Sequence, residues 1–347
     1  MKLGIVGVSG LVGDNILTSL NLLNIDPEEL YLFGYSSTGG KRLFNDKEYE
    51  ILQFNNDYLN KLDYIILAVE NDVAKEIIDY HKNNNCSSII IDNSSEYRLC
   101  NDVPLVIPEV NGDLLNGNSK IIANPNCSTT MLVMLLKPLL QLSEIKKVVV
   151  STYQAASGAG KKGYDELMEQ TYNYGLGQDI TMNFWKKQYI FNVFSHNSKI
   201  DPESKYNMEE LKMVKETCKI LNRNMRINPT CIRVPTLRSH CLSVNVEFYE
   251  EQKLDKIMEV LEKFPGIKIL NNEEKNEFPE PLLTSKKTDI YVGRIRPETG
   301  IDYVDNTSWS FFVSGDQLLK GAAYNSVQIL KQVINLHHLS KLPEVAK

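Results

Sequence analysis

The first 125 residues alternate short apolar runs with segments of helical periodicity. Strands are predicted at Lys2–Val8, Leu30–Phe33, Leu62–Val69, Ser88–Asp92 and Lys120–Ala123, and helices at Leu11–Leu23 and Asp72–Lys82. Within the third strand, Tyr64–Val69 is apolar at nearly every position, as expected where helices cover both faces of a sheet. The pattern predicts βαβ units and a largely parallel sheet.

The pattern changes after residue 125. A buried helix is predicted at Met131–Leu142, strands at Lys147–Tyr153, Thr230–Val234, Cys241–Tyr249, Ile290–Ile295 and Trp309–Val313, and a last helix at Gln317–Leu336. Cys241–Tyr249 alternates strictly, with Leu242, Val244, Val246 and Phe248 on one face, which predicts a sheet with one apolar and one polar face. The polar stretch Asn192–Asn207 is expected to be a surface loop.

These patterns predict an α/β protein of two domains. We expect a Rossmann-like N-terminal domain over residues 1–125, completed by the C-terminal helix 317–347, and a mixed α+β domain over residues 126–316. The chain length of 347 residues agrees with two domains of ordinary size.

Composition and charge narrow the function classes. The net charge of -6 argues against nucleic acid as a main partner. No apolar run is long enough for a membrane span, and the N-terminus does not have the pattern of a signal peptide. The six cysteines are scattered without a C-x-x-C pair, which favours reduced thiols in the cytoplasm and predicts no metal site.

A glycine-rich turn lies between the first predicted strand and the first helix. Gly7, Gly10 and Gly13 are spaced G-x-x-G-x-x-G. Glycines there let the backbone approach a phosphate at a helix N-terminus, where free N–H groups and the helix dipole favour anions. The alternative interpretation is a tight βα turn in a domain that binds no cofactor.

The segment after the second strand bears on the type of dinucleotide. In NAD-binding domains this strand typically ends in an acidic residue that holds the ribose 2′-hydroxyl. Here it is followed by Ser36, Ser37 and Thr38 and then by Lys41 and Arg42, with no carboxylate. This composition suits a 2′-phosphate and favours NADP, and the alternative is a solvated, hairpin-like loop.

The most informative segment is Asn124–Thr130, with the sequence NPNCSTT. A strand ends there at a proline turn and a helix begins at or just after Cys127. The dipole and free N–H groups at a helix N-terminus lower the pKa of a thiol and make it nucleophilic. The alternative for any one cysteine is a small buried hydrophobe.

A cysteine nucleophile needs a base, most often a histidine. The chain has five histidines: His81, His196, His240, His337 and His338. Only His240 lies where a strand begins, so the residues alone favour it as the partner of Cys127 and leave the pairing open.

Seven blocks of sequence, in order, resemble the aspartate-β-semialdehyde dehydrogenase family along essentially the whole chain. They are Gly7–Gly13, Ile91–Arg98, Val103–Asn111, Asn124–Thr130, Ser151–Gly163, Cys231–His240 and Gly315–Ala323. The resemblance implies reversible NADP-dependent oxidation of aspartate semialdehyde with phosphate to aspartyl phosphate. It also implies a Cys127 thioester, a place in lysine, threonine and methionine biosynthesis, and a homodimer or homotetramer. Residues 1–125, with the C-terminal helix 317–347, would form the NADP-binding domain, and residues 126–316 the catalytic and dimerisation domain.

The resemblance further implies a role for individual residues. Cys127 would be the nucleophile, His240 the acid/base that takes and returns the hemithioacetal proton, and Gln154 the group that orients the thioacyl intermediate. Substrate would be bound by Arg233 and Glu209, phosphate by Arg98, Asn126 and Lys212, and the cofactor by Gly7, Ser9, Gly10, Leu11, Val12, Ser36, Ser37, Thr38, Ser157, Gly158 and Gln317.

Three questions stay open at this point. Many family members have an arginine where Ser37 stands, so NAD use is not excluded. Glu209 and Lys212, at the start of a helix capped by Asn207 with Glu210, would without the resemblance be an ordinary surface ion pair. The competing functions are reduction of another acyl phosphate, such as N-acetyl-glutamyl phosphate, and a catalytically silent cofactor-binding or dimerisation protein.

Overall fold

The computed structural model describes residues 1–35 and 39–340. Helices lie at Leu11–Leu22 (α1), Asn71–Asn83 (α2), Pro108–Asn111 (α3), Cys127–Leu139 (α4), Gly160–Gly175 (α5), Met208–Leu221 (α6), Leu254–Lys263 (α7), Pro281–Thr284 (α8) and Tyr324–Ser340 (α9). Strands lie at Lys2–Val6 (β1), Glu29–Gly34 (β2), Lys41–Phe44 (β3), Lys47–Gln53 (β4), Tyr64–Leu67 (β5), Ile89–Asp92 (β6), Ile121–Ala123 (β7), Ile145–Gln154 (β8), Phe194–Ser195 (β9), Ile227–Arg233 (β10), His240–Phe248 (β11), Ile267–Ile269 (β12), Ile290–Thr299 (β13) and Val304–Gly315 (β14).

The described residues divide into two compact units. The first unit comprises those of Met1–Asn126 together with those from Ala322 onward, and the second unit is Cys127–Gly321. The units therefore change over at Asn126 and at Gly321, where the sequence places the domain bounds at 125 and 316. Of the predicted site residues, Ser36, Ser37 and Thr38 lie outside the described residues.

The first unit is built on a sheet with the strand order β3-β4-β2-β1-β5-β6-β7. The pairs from β4 to β7 are parallel and the β3–β4 pair is antiparallel. Every residue of β5 and β6 is buried, because apolar side chains point to both faces of this sheet. Helix α9 packs against α1 and β6 and adds Val327, Leu330 and Val333 to the core.

The second unit is built on a mixed sheet with the strand order β12-β13-β14-β11-β8-β10-β9. Strands β8 and β10 are parallel, whereas β11 is antiparallel to both of its neighbours. The predicted alternation of β11 is confirmed: residues 242, 244, 246 and 248 are buried and Ser243 is exposed. The predicted fold class, a Rossmann-like domain followed by a mixed α+β domain, is confirmed.

Several predicted bounds are wrong for local reasons. The first strand ends at Val6 rather than Val8, since Gly7 adopts a φ of 91° and the N–H groups of Gly7 and Val8 both donate to Phe33 O. The last helix is preceded by a π-helical turn at Leu319–Ala323. The polar stretch 192–207 is not only a surface loop: it contains β9, which pairs with β10, and it ends at Asn207, which is buried.

Helices α5 and α7 and the β3–β4 hairpin were not predicted.

None of the helices in the described part of the chain is both long enough and apolar enough to cross a lipid bilayer.

Candidate active site

Cys127 occupies the first position of α4, as predicted. It is partly exposed, whereas Ser128 and the residues of the next two turns are buried. The backbone of Gly321 approaches it so closely that a Cβ at position 321 would lie 2.6 Å from Cys127 Cβ. The thiol is therefore held between a helix N-terminus and a glycine of the π-helical turn, in a position favourable for a thiolate.

Gln154 ends β8 and is buried directly beside the start of α4. Its Nε2 donates to Ser128 Oγ at 3.0 Å and to Glu209 Oε1 at 3.3 Å. In the parallel β8–β10 register, Gln154 is paired with Arg233, so both side chains come from the same end of the sheet. The structure thus brings Gln154, Glu209 and Arg233 together next to the residue that follows Cys127.

Arg233 is only 3% exposed and has neutral partners. Its Nε donates to Asn197 Oδ1 at 3.3 Å, Nη1 to Ala155 O at 3.2 Å and Nη2 to His196 Nε2 at 2.7 Å, and the guanidinium lies 5.5 Å from the ring centroid of Trp185. Among the described residues, no carboxylate forms an ion pair with it. A buried cation without a carboxylate partner is a candidate anion site, because guanidinium binds carboxylate in a bidentate manner.

His240 begins β11 and is completely buried. The Ala155 N–H donates to its Nδ1 at 3.0 Å, which places the proton of the neutral ring on Nε2. Nε2 has no hydrogen-bond partner among the described residues, and it faces Gly158, where a Cβ would lie 2.9 Å away. Burial lowers the pKa of His240 to about 3, and the positive charge of Arg233 acts in the same direction, so the imidazole is neutral at pH 7.

Glu209 and Lys212 lie in the first turn and a half of α6. The predicted capping box is confirmed, with the Asn207 side chain accepting from the Glu210 N–H and the Glu210 carboxylate accepting from the Asn207 N–H. Glu209 is buried, whereas Lys212 is partly exposed, and their charged atoms are 3.9 Å apart. Glu209 therefore points towards Gln154, which an ordinary surface pair would not do.

Ser157, Gly158 and Gln317 form one group beside His240. Gln317 Oε1 accepts from the Ser239 N–H at 2.7 Å, and its Nε2 donates to Ser157 Oγ. Gly158 has no side chain, and this lets His240 and Arg233 come close to its backbone. A Cβ at position 158 would contact His240 and lie 3.0 Å from Arg233 Nη1. Gln317 is thus held by the residue immediately before His240.

The glycine-rich turn of the first unit has the geometry of a phosphate cradle. A Cβ at Gly7 would lie 2.2 Å from Ala68 O, and one at Gly13 would lie 2.5 Å from Gly7 O, so neither position tolerates a side chain. Gly10 is the N-cap of α1 and offers no side-chain acceptor to the first-turn N–H groups. Leu11 and Val12 supply two of those groups, and this turn fits a dinucleotide phosphate.

The cations after β2 lie on the β3–β4 hairpin and are already paired. Lys41 Nζ lies 2.7 Å from Glu48 Oε2, and Arg42 Nε lies 2.8 Å from Asp14 Oδ1 of α1. Both cations are therefore neutralised by carboxylates of the first unit.

Arg98 and Asn126 belong to the first unit, and both side chains are buried there. Arg98 Nη2 donates to Asn93 O at 2.8 Å. Lys212, the third predicted phosphate ligand, belongs to the second unit.

The sequence did not reveal several residues that shape this site. His196 and Trp185 contact Arg233, Ser128 accepts from Gln154, and Gly321 contacts Cys127. The only signal for His196 was its being one of five histidines, and it lay in a stretch interpreted as a loop.

Comparisons with known proteins agree with the fold and identify the family. The family model described as "Semialdehyde dehydrogenase, NAD binding domain" matches residues 2–117, and the one described as "Semialdehyde dehydrogenase, dimerisation domain" matches residues 136–320. The first match indicates a nicotinamide dinucleotide as cofactor.

Individual relatives cover nearly the whole chain. An aspartate-semialdehyde dehydrogenase of Prochlorococcus marinus is 36% identical over 345 residues, covering 96% of each chain, and one of Aquifex aeolicus is 37% identical over 341 residues, covering 96% of this chain and 98% of the other. A crystal structure of aspartate semialdehyde dehydrogenase II complexed with ASA, from Vibrio cholerae, has a TM-score of 0.88 at 31% identity and covers 96% of this chain and 98% of that one. The resemblance drawn from the sequence is confirmed, and the chain belongs to the aspartate-semialdehyde dehydrogenase family of oxidoreductases.

Proposed function

We propose that the protein catalyses the reversible oxidation of L-aspartate 4-semialdehyde to 4-aspartyl phosphate, with NADP and inorganic phosphate, in lysine, threonine and methionine biosynthesis. The observation that carries the proposal is the buried Arg233, which has only neutral partners and lies near the buried carboxylate of Glu209. An amino acid presents a carboxylate and an ammonium group on one carbon. A buried cation and a buried anion close together complement that pair of charges.

Cys127 is the proposed nucleophile. Its thiolate Sγ adds to the aldehyde carbon, forming a C–S bond while the carbonyl electron pair moves to oxygen. NADP would supply, when bound, the hydride acceptor for the hydrogen of that carbon. The resulting thioester on Cys127 would then be opened by a phosphate oxygen, which forms a C–O bond with the thioester carbon while the C–S bond breaks and its electron pair returns to Sγ.

His240 is the proposed acid/base for the substrate oxygen. Its Nε2 is the ring atom that faces the space left by Gly158, and its neutral form carries the proton there. The ring therefore begins as a hydrogen-bond donor to the carbonyl oxygen while Sγ adds, when negative charge develops on that oxygen. Gln154, fixed by Ser128 and Glu209, would hold the thioacyl group in place.

Substrate, phosphate and cofactor contacts follow the predicted sets. Arg233 would bind the α-carboxylate and Glu209 the α-ammonium group, and Arg98, Asn126 and Lys212 would bind the phosphate dianion. Gly7, Ser9, Gly10, Leu11 and Val12 would hold the pyrophosphate, with Ser36, Ser37 and Thr38 near the ribose, and Ser157, Gly158 and Gln317 near the nicotinamide. The preference for NADP over NAD belongs to this proposal, as does assembly into a homodimer or homotetramer through the dimerisation domain.

The proposal is tested by NADPH formation from NADP, phosphate and aspartate semialdehyde. We expect turnover that requires phosphate, and a much lower kcat/KM with N-acetylglutamate semialdehyde, because acetylation removes the positive charge that Glu209 would bind. Failure to form NADPH or NADH from aspartate semialdehyde in the presence of phosphate would refute the proposal. Equal turnover with both aldehydes would refute the substrate assignment alone.

A further inference from the structure

His196 is anchored to the strand that carries Arg233. It follows β9, and its backbone N–H donates to Cys231 O of β10 at 2.8 Å. Arg233 is the last residue of β10, and Cys231 lies two residues before it in the same strand. The position of the imidazole is therefore fixed relative to the guanidinium by the sheet itself.

The imidazole contacts the guanidinium directly. His196 Nε2 lies 2.7 Å from Arg233 Nη2. Guanidinium is always a donor, so Nε2 accepts from Arg233. Nδ1 contacts Ser198 twice, at 3.1 Å from its Oγ and at 3.2 Å from its backbone N. The other charged or titratable groups that influence the ring are Glu209, Lys212 and His240, and a second cation on His196 would face Arg233.

Ser198 continues the hydrogen bonds to helix α6. Its Oγ accepts from the Glu209 N–H at 3.2 Å and donates to Asn207 Oδ1 at 3.4 Å. Asn207 is the N-cap of α6, and Glu209 lies in its first turn. A continuous series of hydrogen bonds therefore runs from Arg233 through His196 and Ser198 to the backbone that carries Glu209.

This arrangement leaves two N–H groups of the Arg233 guanidinium for a ligand. The bonds to Asn197, Ala155 and His196 use one N–H on each guanidinium nitrogen, so one N–H on Nη1 and one on Nη2 have no partner among the described residues. Two such donors can hold both oxygens of a carboxylate. Their direction depends on the bond that His196 accepts.

We infer that His196 is a positioning residue that aims Arg233 at the substrate carboxylate and holds it in register with Glu209. Through this pair, the site would select a substrate that carries its carboxylate and its ammonium group on the same carbon. The inference rests on the proposed function, because it assigns Arg233 and Glu209 to the α-substituents of the aldehyde. It adds a residue outside the sets described above for catalysis, phosphate and cofactor.

The test compares His196→Gln with His196→Met, two side chains of similar size and shape. Glutamine offers an amide oxygen that can accept from Arg233, and methionine does not. We expect His196→Met to raise KM for aspartate semialdehyde about 10-fold or more, since a hydrogen bond to a charged group is lost, and to change kcat by less than about 3-fold. His196→Gln should restore most of the affinity, and KM for phosphate should stay unchanged in both variants.

Two further variants extend the test. Ser198→Ala interrupts the series one step further on and should raise KM for the aldehyde by a smaller factor. His338→Ala removes an exposed histidine of the first unit and should leave both KM values unchanged. Thermal unfolding of all variants measures any loss of stability separately from the kinetics.

The outcomes distinguish this inference from the proposed function. If the methionine and glutamine variants have equal KM values for the aldehyde, whether both normal or both raised, His196 does not act through its acceptor atom and the inference is overturned. The same holds if only the unfolding temperature changes. If the wild-type protein does not oxidise aspartate semialdehyde at all, the proposed function fails before any variant is compared.

Discussion

The largely buried cluster of the second unit, defined here as Cys127, Gln154, His196, Glu209, Arg233 and His240, differs from the β3–β4 hairpin of the first unit in how its charged groups are stabilised. Arg233 and Glu209 are 3% and 5% exposed, and their neighbours are fixed side chains and backbone groups. Lys41 and Arg42 have side chains 56% and 32% exposed, and each pairs with a surface carboxylate. A buried group has no water to replace a lost partner, whereas an exposed charge exchanges its partner for solvent at little cost.

The difference predicts where substitutions matter. In the cluster, displacement of one side chain leaves another buried polar atom without a partner, so effects on activity should be large and should spread to neighbouring residues. On the hairpin, effects should be small and sensitive to salt.

Cys127→Ser should have the largest effect in the cluster and abolish nearly all turnover. A serine hydroxyl has too high a pKa to form the nucleophile that a thiolate provides, so kcat should fall by at least about 10³-fold. The folded state should persist, because Cys127 is partly exposed and the change is small. Steady-state kinetics and circular dichroism measure both effects.

The control is Cys100→Ser, which changes a partly exposed cysteine of the first unit and should leave turnover unchanged. Substantial activity in Cys127→Ser would exclude a covalent thioester and with it the proposed mechanism.

Gly158→Ala tests whether the cluster has any spare room. The added Cβ would lie 2.9 Å from His240 Nε2 and 3.0 Å from Arg233 Nη1, so one of the two side chains must move. Misplacement of catalytic groups by about 1 Å costs roughly 10²-fold in rate, and we expect a loss of that order in kcat/KM. Gly175→Ala is the matched control, because a Cβ at that glycine of α5 meets nothing within 4 Å. Equal activity of the two variants would show that the cluster is less tightly packed than the distances indicate.

The features that the sequence could predict are those that depend on neighbouring residues. The positions of Cys127 at the start of a helix, His240 at the start of a strand and the Asn207 cap depend on a few neighbouring residues, and all three predictions are confirmed. The contact between His196 and Arg233 joins residues 37 positions apart, and it exists only because β9 pairs with β10. No local pattern encodes such a contact.

Helix α7 was not predicted, although the sequence contains a pattern that indicates it. In α7, Leu254, Ile257 and Leu261 recur at helical spacing, and the latter two are buried, so this helix could have been predicted from the sequence. The approach of Gly321 to Cys127 could not, because a glycine followed by two alanines is also typical of an ordinary helix. The role of this glycine depends on a backbone contact with a residue 194 positions earlier.

Acid should destabilise the cluster through its two histidines. Burial lowers the pKa of His196 to about 4 and that of His240 to about 3, against 6.5 in the unfolded chain. Below pH 6.5 the unfolded chain therefore binds protons that the folded protein does not, and the free energy of unfolding falls with pH. Between pH 7 and 5, His196 alone should account for about 2 kcal/mol.

The contribution of His196 is isolated by comparing wild type with His196→Gln in urea denaturation at pH 7, 6 and 5. Losses from carboxylates that are protonated at low pH occur in both proteins and cancel in the difference. The variant should lose less stability than wild type as the pH falls. Parallel pH dependences would mean that His196 is not held in its neutral form by burial.

The smallest effect is expected on the hairpin and concerns cofactor preference. If Lys41 helps to hold the 2′-phosphate, Lys41→Ala should lower kcat/KM for NADP by about two- to fivefold and leave the value for NAD unchanged, since an exposed pair is worth at most about 1 kcal/mol. Lys47→Ala is the matched control, because this lysine of β4 lies over the ring of Tyr49 on the same hairpin. The difference between the cofactors should shrink as salt is added, because exposed charges are screened. Equal kcat/KM values for NADP and NAD in the wild-type protein would overturn the proposed NADP preference.

A loss of about 100-fold in Lys41→Ala would show that an exposed cation of this hairpin contributes as much to ligand binding as a buried group of the cluster. The contrast between the two regions would then fail.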